Sequence, residues 1–386
     1  SSGHALSTKV ITPAVKQILA GAAKASAPGK AAPAQTVAAA GCENCHAPHF
    51  ANAKERLMKF AQPEQNCFSC HRGNGAGRDV MADFQKISVH PIALNNQAHK
   101  PGENPVNPAE RHVTCADCHN PHAVAATAKG SKKLSSALAG VAGVSAGGAV
   151  VRAATREYEL CFRCHGDSIT RGPARVSRQF PQTNQRLQFS AGNQSFHPLE
   201  TTGKNSRVPS LIAPWTTAST VTCTDCHNSD QSPAAGGAGA NGPHGSSYTP
   251  LLERQLLLTD FSAESAANYA LCYKCHSRES IVSDQSFHAT SSTGADRGHR
   301  FHIAEQTTAC TTCHDSHGVA ANSRLINFNV NYVSPASNGR LQFVAGIQGP
   351  SSGTCTLKCH GYDHVDAGYG PAGMTLLRTA RQLRQH

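Results

Sequence analysis

Apolar residues are sparse along this chain, and only a few stretches give them a regular period. The clearest alternation is LINFNVNYV at 325–333, which is followed by Asn338-Gly339 and by RLQFVAG at 340–346. A period of two predicts strands, and Asn-Gly between them is a strong turn signal. The pattern therefore predicts a small β-hairpin, and the near-identical RLQFSAG at 186–192 predicts a second ribbon.

Other stretches have no strong period. The uncharged segment 134–151 is rich in Ala, Gly and Ser and is flanked by Lys132, Lys133 and Arg152. It is short for a membrane span, so we expect a packed or surface insertion and no membrane-spanning segment. We expect loops at 20–40 and 233–242 and a short helix at 374–385.

Composition does not favour an ordinary hydrophobic core. Aromatic residues make up 5% of the 386-residue chain and charged residues 15%, with 33 glycines and 21 prolines. Such a chain would normally be disordered unless something other than its side chains holds it together.

The cysteines indicate what holds it together. Seven copies of C-x-x-C-H and one C-x-x-x-C-H use all sixteen cysteines. C-x-x-C-H is the attachment signature of c-type haem, in which both thiols bond the porphyrin and the adjacent histidine binds the iron. A single copy would also suit a zinc site, a redox dithiol or a disulfide, but eight copies with no cysteine left over indicate haem. The predicted thioether residues are Cys42, Cys45, Cys67, Cys70, Cys115, Cys118, Cys161, Cys164, Cys223, Cys226, Cys272, Cys275, Cys310, Cys313, Cys355 and Cys359.

The histidine that ends each motif is the predicted proximal iron ligand. Eight covalently bound haem c groups would replace side chains as the core. We therefore predict a mostly irregular, coil-rich fold with short helices and a few small β-hairpins, wrapped around a chain of eight haems. The proximal ligands would be His46, His71, His119, His165, His227, His276, His314 and His360.

The motifs alternate between two kinds, which we call type A and type B. Each type A motif is followed by a further histidine, which we call its close histidine, and three type B motifs are followed by Ser-x-His. Type A motifs begin at Cys42, Cys115, Cys223 and Cys310, and type B motifs at Cys67, Cys161, Cys272 and Cys355. One motif of each type forms a two-haem repeat. The predicted division is an N-terminal segment at 1–40 that contacts another subunit, then repeats at 41–111, 112–220, 221–307 and 308–386, within one continuous haem-cored unit.

The additional histidines are predicted to bind a second iron. His49 cannot reach the far face of the haem held by His46, because three residues do not carry the chain around a porphyrin. It should therefore bind another haem, and repeated histidines should give every iron two imidazoles. The predicted distal ligands are His4, His49, His90, His122, His197, His244, His288 and His317.

The pairing of these ligands stays open at this point. The close histidines could serve the type B irons of their own repeats, with the Ser-x-His residues capping type A irons backward or forward along the chain. In the forward scheme His4 caps the iron on His46, and in the backward scheme it caps the iron on His314 of a neighbouring chain. The rivals of His4 are His364, His302 and His112, whereas His99, His299 and His386 are expected to bind no iron.

Charge does not indicate a nucleic-acid partner. The formal net charge is +11, but eight haems would each bring two propionates, which offset it. No nucleic-acid-binding motif accompanies the basic residues. The start at Ser1–His4 is typical of a trimmed exported protein, and c-type haem is attached outside the cytoplasm. We therefore expect an extracellular or cell-surface location, with the periplasm as the alternative.

The doubled C-x-x-C-H pattern, C-H-x-P-H, Ser-x-His and the late LINF…VSP…G-x-C-x-x-x-C-H block resemble multihaem c-type cytochromes of metal-reducing bacteria. Over roughly 41–364 the chain is similar to the extracellular filament-forming, or nanowire, cytochromes. The resemblance implies a head-to-tail homopolymer of stacked bis-histidine haems in which His4 binds a neighbour's iron. It also implies outer-membrane or periplasmic cytochromes as donors and extracellular acceptors such as metal oxides.

These features favour an electron conduit that makes and breaks no bond, so no catalytic residue is predicted. One alternative is a monomeric periplasmic or surface electron carrier. Another is a multihaem reductase of the nitrite, hydroxylamine or tetrathionate type, which needs an iron with an open position. No C-x-x-C-K motif marks such an iron, and histidines exceed the vacancies.

Overall fold

The computed structural model confirms a coil-rich fold, with 25% of residues helical and 16% in strands. It describes residues 4, 7–22, 36–49, 51–52, 55–73, 75–92, 113–123, 134–168, 172–287, 297–346 and 352–370. The chain forms two compact units, Ser1–Arg171 with Thr222–Arg254, and Gly172–Val221 with Gln255–His386. Unit 1 contains the first five motifs and unit 2 the last three. The four-repeat division stays a prediction.

Unit 1 is built from short elements that surround its motifs. Its α-helices are α1 (Pro13–Ala22), α2 (Val37–Ala40), α3 (Pro63–Phe68), α4 (Cys115–Cys118) and α5 (Glu157–His165), and its strands are β1 (Ser88–Val89), β2 (Gly143–Val144), β3 (Val150–Val151) and β5 (Gly245–Ser246). Its 3₁₀ turns are Gly41–Asn44, Glu55–Leu57, Asp83–Gln85, Ser136–Leu138, Cys223–Asp225 and Pro233–Ala235. One small cluster packs Ile11, Val15 and Leu19.

The segment 134–151 is a packed insertion. Its end forms the antiparallel ribbon β2–β3, and Val141 packs with Ala154 and Leu160. Among the described ranges, no helix combines the length and the apolar character that a bilayer span requires.

Unit 2 contains the largest sheet. Its helices are α6 (Gln185–Gln188), α7 (Ala270–Tyr273), α8 (Arg278–Val282), α9 (Cys310–Cys313) and a π-helical turn at Phe301–Glu305. Its strands are β4 (Ser195–Phe196), β6 (Gly318–Val319), β7 (Val333–Ser334), β8 (Gln342–Ala345), β9 (Gly353–Cys359) and β10 (Tyr362–Tyr369). The antiparallel hairpin β9–β10 covers a cluster that includes Phe328, Phe343 and Tyr369.

Both predicted ribbons were wrong in detail. The Asn338-Gly339 turn forms, with the Gly339 N–H donating to Ala336 O at 2.8 Å, but β7 and β8 do not pair with each other. Both pair with β9, β8 along its first half and β7 along its end. The sequence did not predict β9, which takes the backbone hydrogen bonds that the two arms would otherwise share. The second ribbon is a helical turn, α6, and the helix expected at 374–385 lies outside the described residues.

Candidate haem sites

Each C-x-x-C-H motif forms one helical turn. In six of the seven, the histidine N–H donates to the carbonyl of the first cysteine at 2.8–3.0 Å, and the seventh, Cys161–His165, ends helix α5. Residues three apart on a helical turn lie on one side, about 5–6 Å apart. Both thiols therefore point to one edge, with the histidine just beyond them, which is the arrangement that haem attachment needs.

The threonine that precedes two of the type A motifs caps the helical turn of its motif. Thr114 and Asp117 form a capping box at α4, in which the Thr114 N–H donates to Asp117 Oδ2 at 2.6 Å. Thr222 and Asp225 repeat this at the third type A turn, at 2.7 Å. A capping box satisfies the free N–H groups at the start of a helical turn, so it stabilises the motif before any haem is attached.

A carbonyl behind each type A histidine fixes its ring. The Nδ1 atoms of His46, His119, His227 and His314 lie 2.7, 3.0, 3.1 and 3.0 Å from the carbonyl oxygens of Arg56, Ala137, Pro250 and Arg324. A carbonyl can only accept, so Nδ1 carries the proton and Nε2 keeps its lone pair for a metal. Each carbonyl precedes a leucine, Leu57, Leu138, Leu251 or Leu325. We did not predict this repeated carbonyl from the sequence. The signal for it was a leucine that follows each type A motif at a varying distance.

Non-motif histidines face motif histidines at a constant distance in unit 1. The ring centres are 6.2 Å apart for His4 and His71, 6.2 Å for His46 and His122, 6.3 Å for His90 and His165, and 6.1 Å for His119 and His244. An iron held by two imidazoles needs about 6.2 Å, from two bonds of about 2.0 Å and about 1.1 Å from each nitrogen to its ring centre. These four gaps therefore fit a bis-histidine iron.

The pairs follow an order that neither sequence scheme contains. A close histidine, His122 or His244, faces the type A histidine of the preceding repeat. His90, a Ser-x-His residue, faces the type B histidine of the following repeat. His4, in Ser-Gly-His, faces the first type B histidine, His71, of its own chain.

Short strands place the Ser-x-His residues. Strand β1, before His90, pairs with β5, after His244, and β4, before His197, pairs with β6, after His317. The serine hydroxyls of Ser88 and Ser195 accept the N–H groups of Leu251 and Leu325 at 2.7 and 2.8 Å. The serine therefore ties the distal strand to the leucine segment behind a type A histidine.

The thiols of successive motifs approach each other in sequence order. In unit 1 the thiol of Cys67 contacts that of Cys115 and the thiol of Cys161 contacts that of Cys223, and in unit 2 Cys272 contacts Cys310. Within repeats, Cys45 lies near Cys70, Cys118 near Cys161, and Cys313 near Cys355. If each thiol formed a thioether to a porphyrin, neighbouring haems within each unit would approach edge to edge.

Burial keeps several imidazoles neutral. It lowers the pKa of His244 to about 4 and, with His197 nearby, that of His276 to about 4. It also lowers the pKa of His299 to about 3 and that of His364 to about 4. A neutral imidazole is the form that binds a metal.

The eighth motif differs from the other seven. Cys355 and Cys359 lie on strand β9, and His360 begins the turn to β10 at φ 50°. A spacing of four puts both thiols on one face of a strand, but about 13 Å apart along it. The Nε2 atom of His360 lies 2.8 Å from Asp260 Oδ2, whereas the type A histidines leave Nε2 available. A doubly attached haem at this motif would require β9 to bend.

Four of the eight predicted distal ligands, His4, His90, His122 and His244, lie opposite a motif histidine. Of the other four, His197 has its Nδ1 2.7 Å from Ser316 O. His49 is exposed. His317 lies against Phe189 and its Nδ1 is 2.9 Å from Gln188 Oε1. His288 lies outside the described residues, as do His99, His112 and His386.

Comparison with known proteins gives one match. Residues 34–195 match a family model described as outer membrane cytochrome MtrC/MtrF-like, domains II/IV. No curated protein and no solved structure matches the chain significantly. The matched range contains the first four motifs but less than half of the chain. The match supports the interpretation of this chain as similar to a multihaem cytochrome, a class of electron-transfer protein.

Proposed function

We propose that the chain is an octahaem c-type cytochrome that conducts electrons along bis-histidine haems. The observation that carries this proposal is the set of four ring pairs in unit 1, each joining a motif histidine to another histidine across a gap of 6.1–6.3 Å. The seven C-x-x-C-H turns support the proposal, because a helical turn brings two thiols three residues apart to one side, with the histidine next to them. An iron with two imidazoles has no position for a substrate, so electron transfer is the chemistry that remains.

The order of the thiol contacts supports a path that follows the sequence within each unit. Electrons would enter at one end and pass from each haem to the next, because neighbouring porphyrin edges approach at every thiol contact. Bis-histidine ligation lacks the methionine sulfur that raises the potential, so the haems should have low potentials.

Carbon monoxide tests the conduit against the reductase. With every iron six-coordinate, the dithionite-reduced protein should show no carbon monoxide difference spectrum and should pass electrons rapidly to a soluble ferric chelate. A stoichiometric carbon monoxide complex at one haem, together with turnover of nitrite or hydroxylamine, would contradict the conduit and support the reductase.

We also propose a cell-surface or extracellular location and assembly into a filament. The matched family is described as outer membrane cytochromes, which supports the location. Outer-membrane or periplasmic cytochromes would be the donors and metal oxides the acceptors. For the filament, the exposed His49 is a better bridging ligand than His4, because His4 already faces His71 of its own chain. His49 would bind an iron of a second copy of the chain.

Two variants separate these bridging ligands. With His49 as the bridge, His49→Ala should abolish filaments in negative-stain images and leave the single chain fully low-spin. His4→Ala should give one high-spin haem, the one on His71, in the single chain. If His4→Ala instead abolishes filaments without changing the single-chain spectrum, His4 binds a neighbour's iron and the His49 bridge is wrong.

A further inference from the structure

We propose that one turn, residues 298–302, supplies an iron ligand to each of the last two haems, through His299 and His302. We call it the bridging turn. The proposal rests on haem binding at the last two motifs, and it assigns to His299 a role that its place outside the repeat pattern did not suggest.

His299 faces the last type A histidine. The ring centres of His299 and His314 are 6.2 Å apart, the separation found in the four pairs of unit 1. The Nδ1 of His314 is 3.0 Å from Arg324 O, and the Nδ1 of His299 is 3.0 Å from Ser286 Oγ. Both Nδ1 atoms are thus engaged by the protein, which leaves both Nε2 atoms for a metal between the rings.

The His299–His314 pair departs from the pairing order of unit 1. There, the close histidines His122 and His244 face the type A histidine of the preceding repeat. The ring opposite His314 instead belongs to His299, which precedes His314 in the same chain and is not a close histidine.

His302 faces His364, which lies on strand β10 of the hairpin β9–β10. Its ring centre lies 6.3 Å from that of His364, with the planes inclined by 30°. Its Nδ1 is 2.9 Å from Gly298 O, so the carbonyl again leaves Nε2 available. His364 is opposite Leu357 in the β9–β10 register, so it lies on the same face as Cys355 and Cys359. The iron of the eighth haem would therefore lie between His302 and His364.

His360 does not compete for this iron in the structure. Its Nε2 is held 2.8 Å from the buried carboxylate of Asp260, and its ring stacks on Phe261 at 4.6 Å. The geometry points to His364 as the iron ligand and to His360 as a residue that anchors the hairpin to Asp260.

Phe287 fixes the bridging turn. Its ring contacts those of His299, His302 and Tyr369 at centre distances of 5.1, 5.8 and 5.2 Å, and its carbonyl accepts the His299 N–H at 3.2 Å. Phe287 thereby holds the imidazoles of His299 and His302, which are three residues apart on a short turn. One faces His314 and the other faces His364. One rigid turn would keep the last two haems close to each other.

The test uses the full-length, haem-loaded protein, purified as a single chain so that no neighbour's His49 can substitute. His299→Ala and His302→Ala should each convert one haem from low spin to high spin, counted by electron paramagnetic resonance, and the double variant should convert two. Added imidazole should restore the low-spin signals. Arg300→Gln, in the same turn, is the matched control, since its side chain makes an exposed ion pair with Glu305 and its loss should leave every haem low-spin.

A second set of variants keeps the proposal testable if a truncated side chain disturbs folding. His302→Met retains a ligand, and methionine in place of histidine should raise the potential of one haem. His364→Ala should expose the same iron as His302→Ala, whereas His360→Ala should not. Unchanged low-spin signals in both His299→Ala and His302→Ala would overturn the proposal. Fewer than eight haems in the parent protein would instead count against the octahaem function.

Discussion

At the residue scale, a candidate distal ligand can be oriented by a hydrogen-bond partner at Nδ1 and by the motif histidine that its ring faces. His90 illustrates this, because its Nδ1 lies 2.6 Å from Pro243 O while its ring faces that of His165. Repeat position in the sequence predicted that His90, His122 and His244 are ligands, and each lies opposite a motif histidine in the structure. It did not identify their partners, because the partners are set by strands and loops that come together from distant repeats.

The pairing predicts which haem each substitution exposes. His244→Ala should leave the haem on His119 five-coordinate, because the two rings face each other at 6.1 Å. Resonance Raman should then show one high-spin haem, and reduced protein should bind about one equivalent of carbon monoxide. If the pairing within repeats held instead, the haem on His276 would become five-coordinate and the haem on His119 would stay low-spin.

At the element scale, local context decides between helix and strand. RLQF occurs twice, at 186–189 and at 340–343, and the two copies fold differently. In the first copy the Asn184 side chain accepts the Leu187 N–H at 3.3 Å and caps the turn α6. In the second, Gln342 and Phe343 pair with Thr356 and Cys355 of β9. The four residues are identical in the two copies, so they cannot by themselves distinguish a helical turn from a strand. The prediction of a ribbon at 186–192 could therefore not succeed.

The motif turns, by contrast, could be predicted, because C-x-x-C-H must bring two thiols to one edge. Their stability should depend on the capping boxes. Asp225→Ala removes the carboxylate that accepts the Thr222 N–H at 2.7 Å, and it should lower the free energy of unfolding by about 1 kcal/mol. Denaturant titration of the haem-loaded protein would measure this change.

The last type A turn offers a matched control for that substitution. Thr312 occupies the position equivalent to Asp225, and its buried hydroxyl has no hydrogen-bond partner among the residues that the structure describes. Thr312→Val should therefore leave stability unchanged or slightly increased, because no hydrogen bond is lost. Equal destabilisation by the two substitutions would show that the capping box contributes nothing specific.

At the scale of the whole molecule, the sequence predicted haem binding from the motif count and low regular structure from the composition, and the structure confirms the second. The sequence could not identify the division into two units, the β9–β10 hairpin or the His299 and His302 ring pairs. Those features depend on contacts between segments far apart in sequence, such as Ser88 with Leu251 and Ser195 with Leu325.

Buried neutral histidines make the whole molecule sensitive to acid. The pKa values of His276, His299 and His364 are about 4, about 3 and about 4 in the folded chain, against about 6.5 when unfolded. Below about pH 6.5 the unfolded chain therefore takes up protons that the folded chain does not, and stability falls until the pH reaches the folded values. Iron binding acts in the same direction, since metal and proton compete for Nε2.

Equilibrium unfolding followed by the low-spin Soret band should show this loss between about pH 6.5 and about pH 4. The free energy of unfolding should be highest at neutral pH and decrease steadily across that range. A constant free energy over the same range would contradict the assignment of these histidines as buried, neutral ligands.

The most direct measurement of the central claim is a quantitative count of haems and of their spin states on one sample of intact protein. Pyridine haemochrome absorbance with intact mass gives the haems per chain, and low-temperature electron paramagnetic resonance gives the fraction that is low-spin. We expect eight covalent haems, all with two imidazole ligands. Clearly fewer than eight haems, or a predominantly five-coordinate signal, would contradict it.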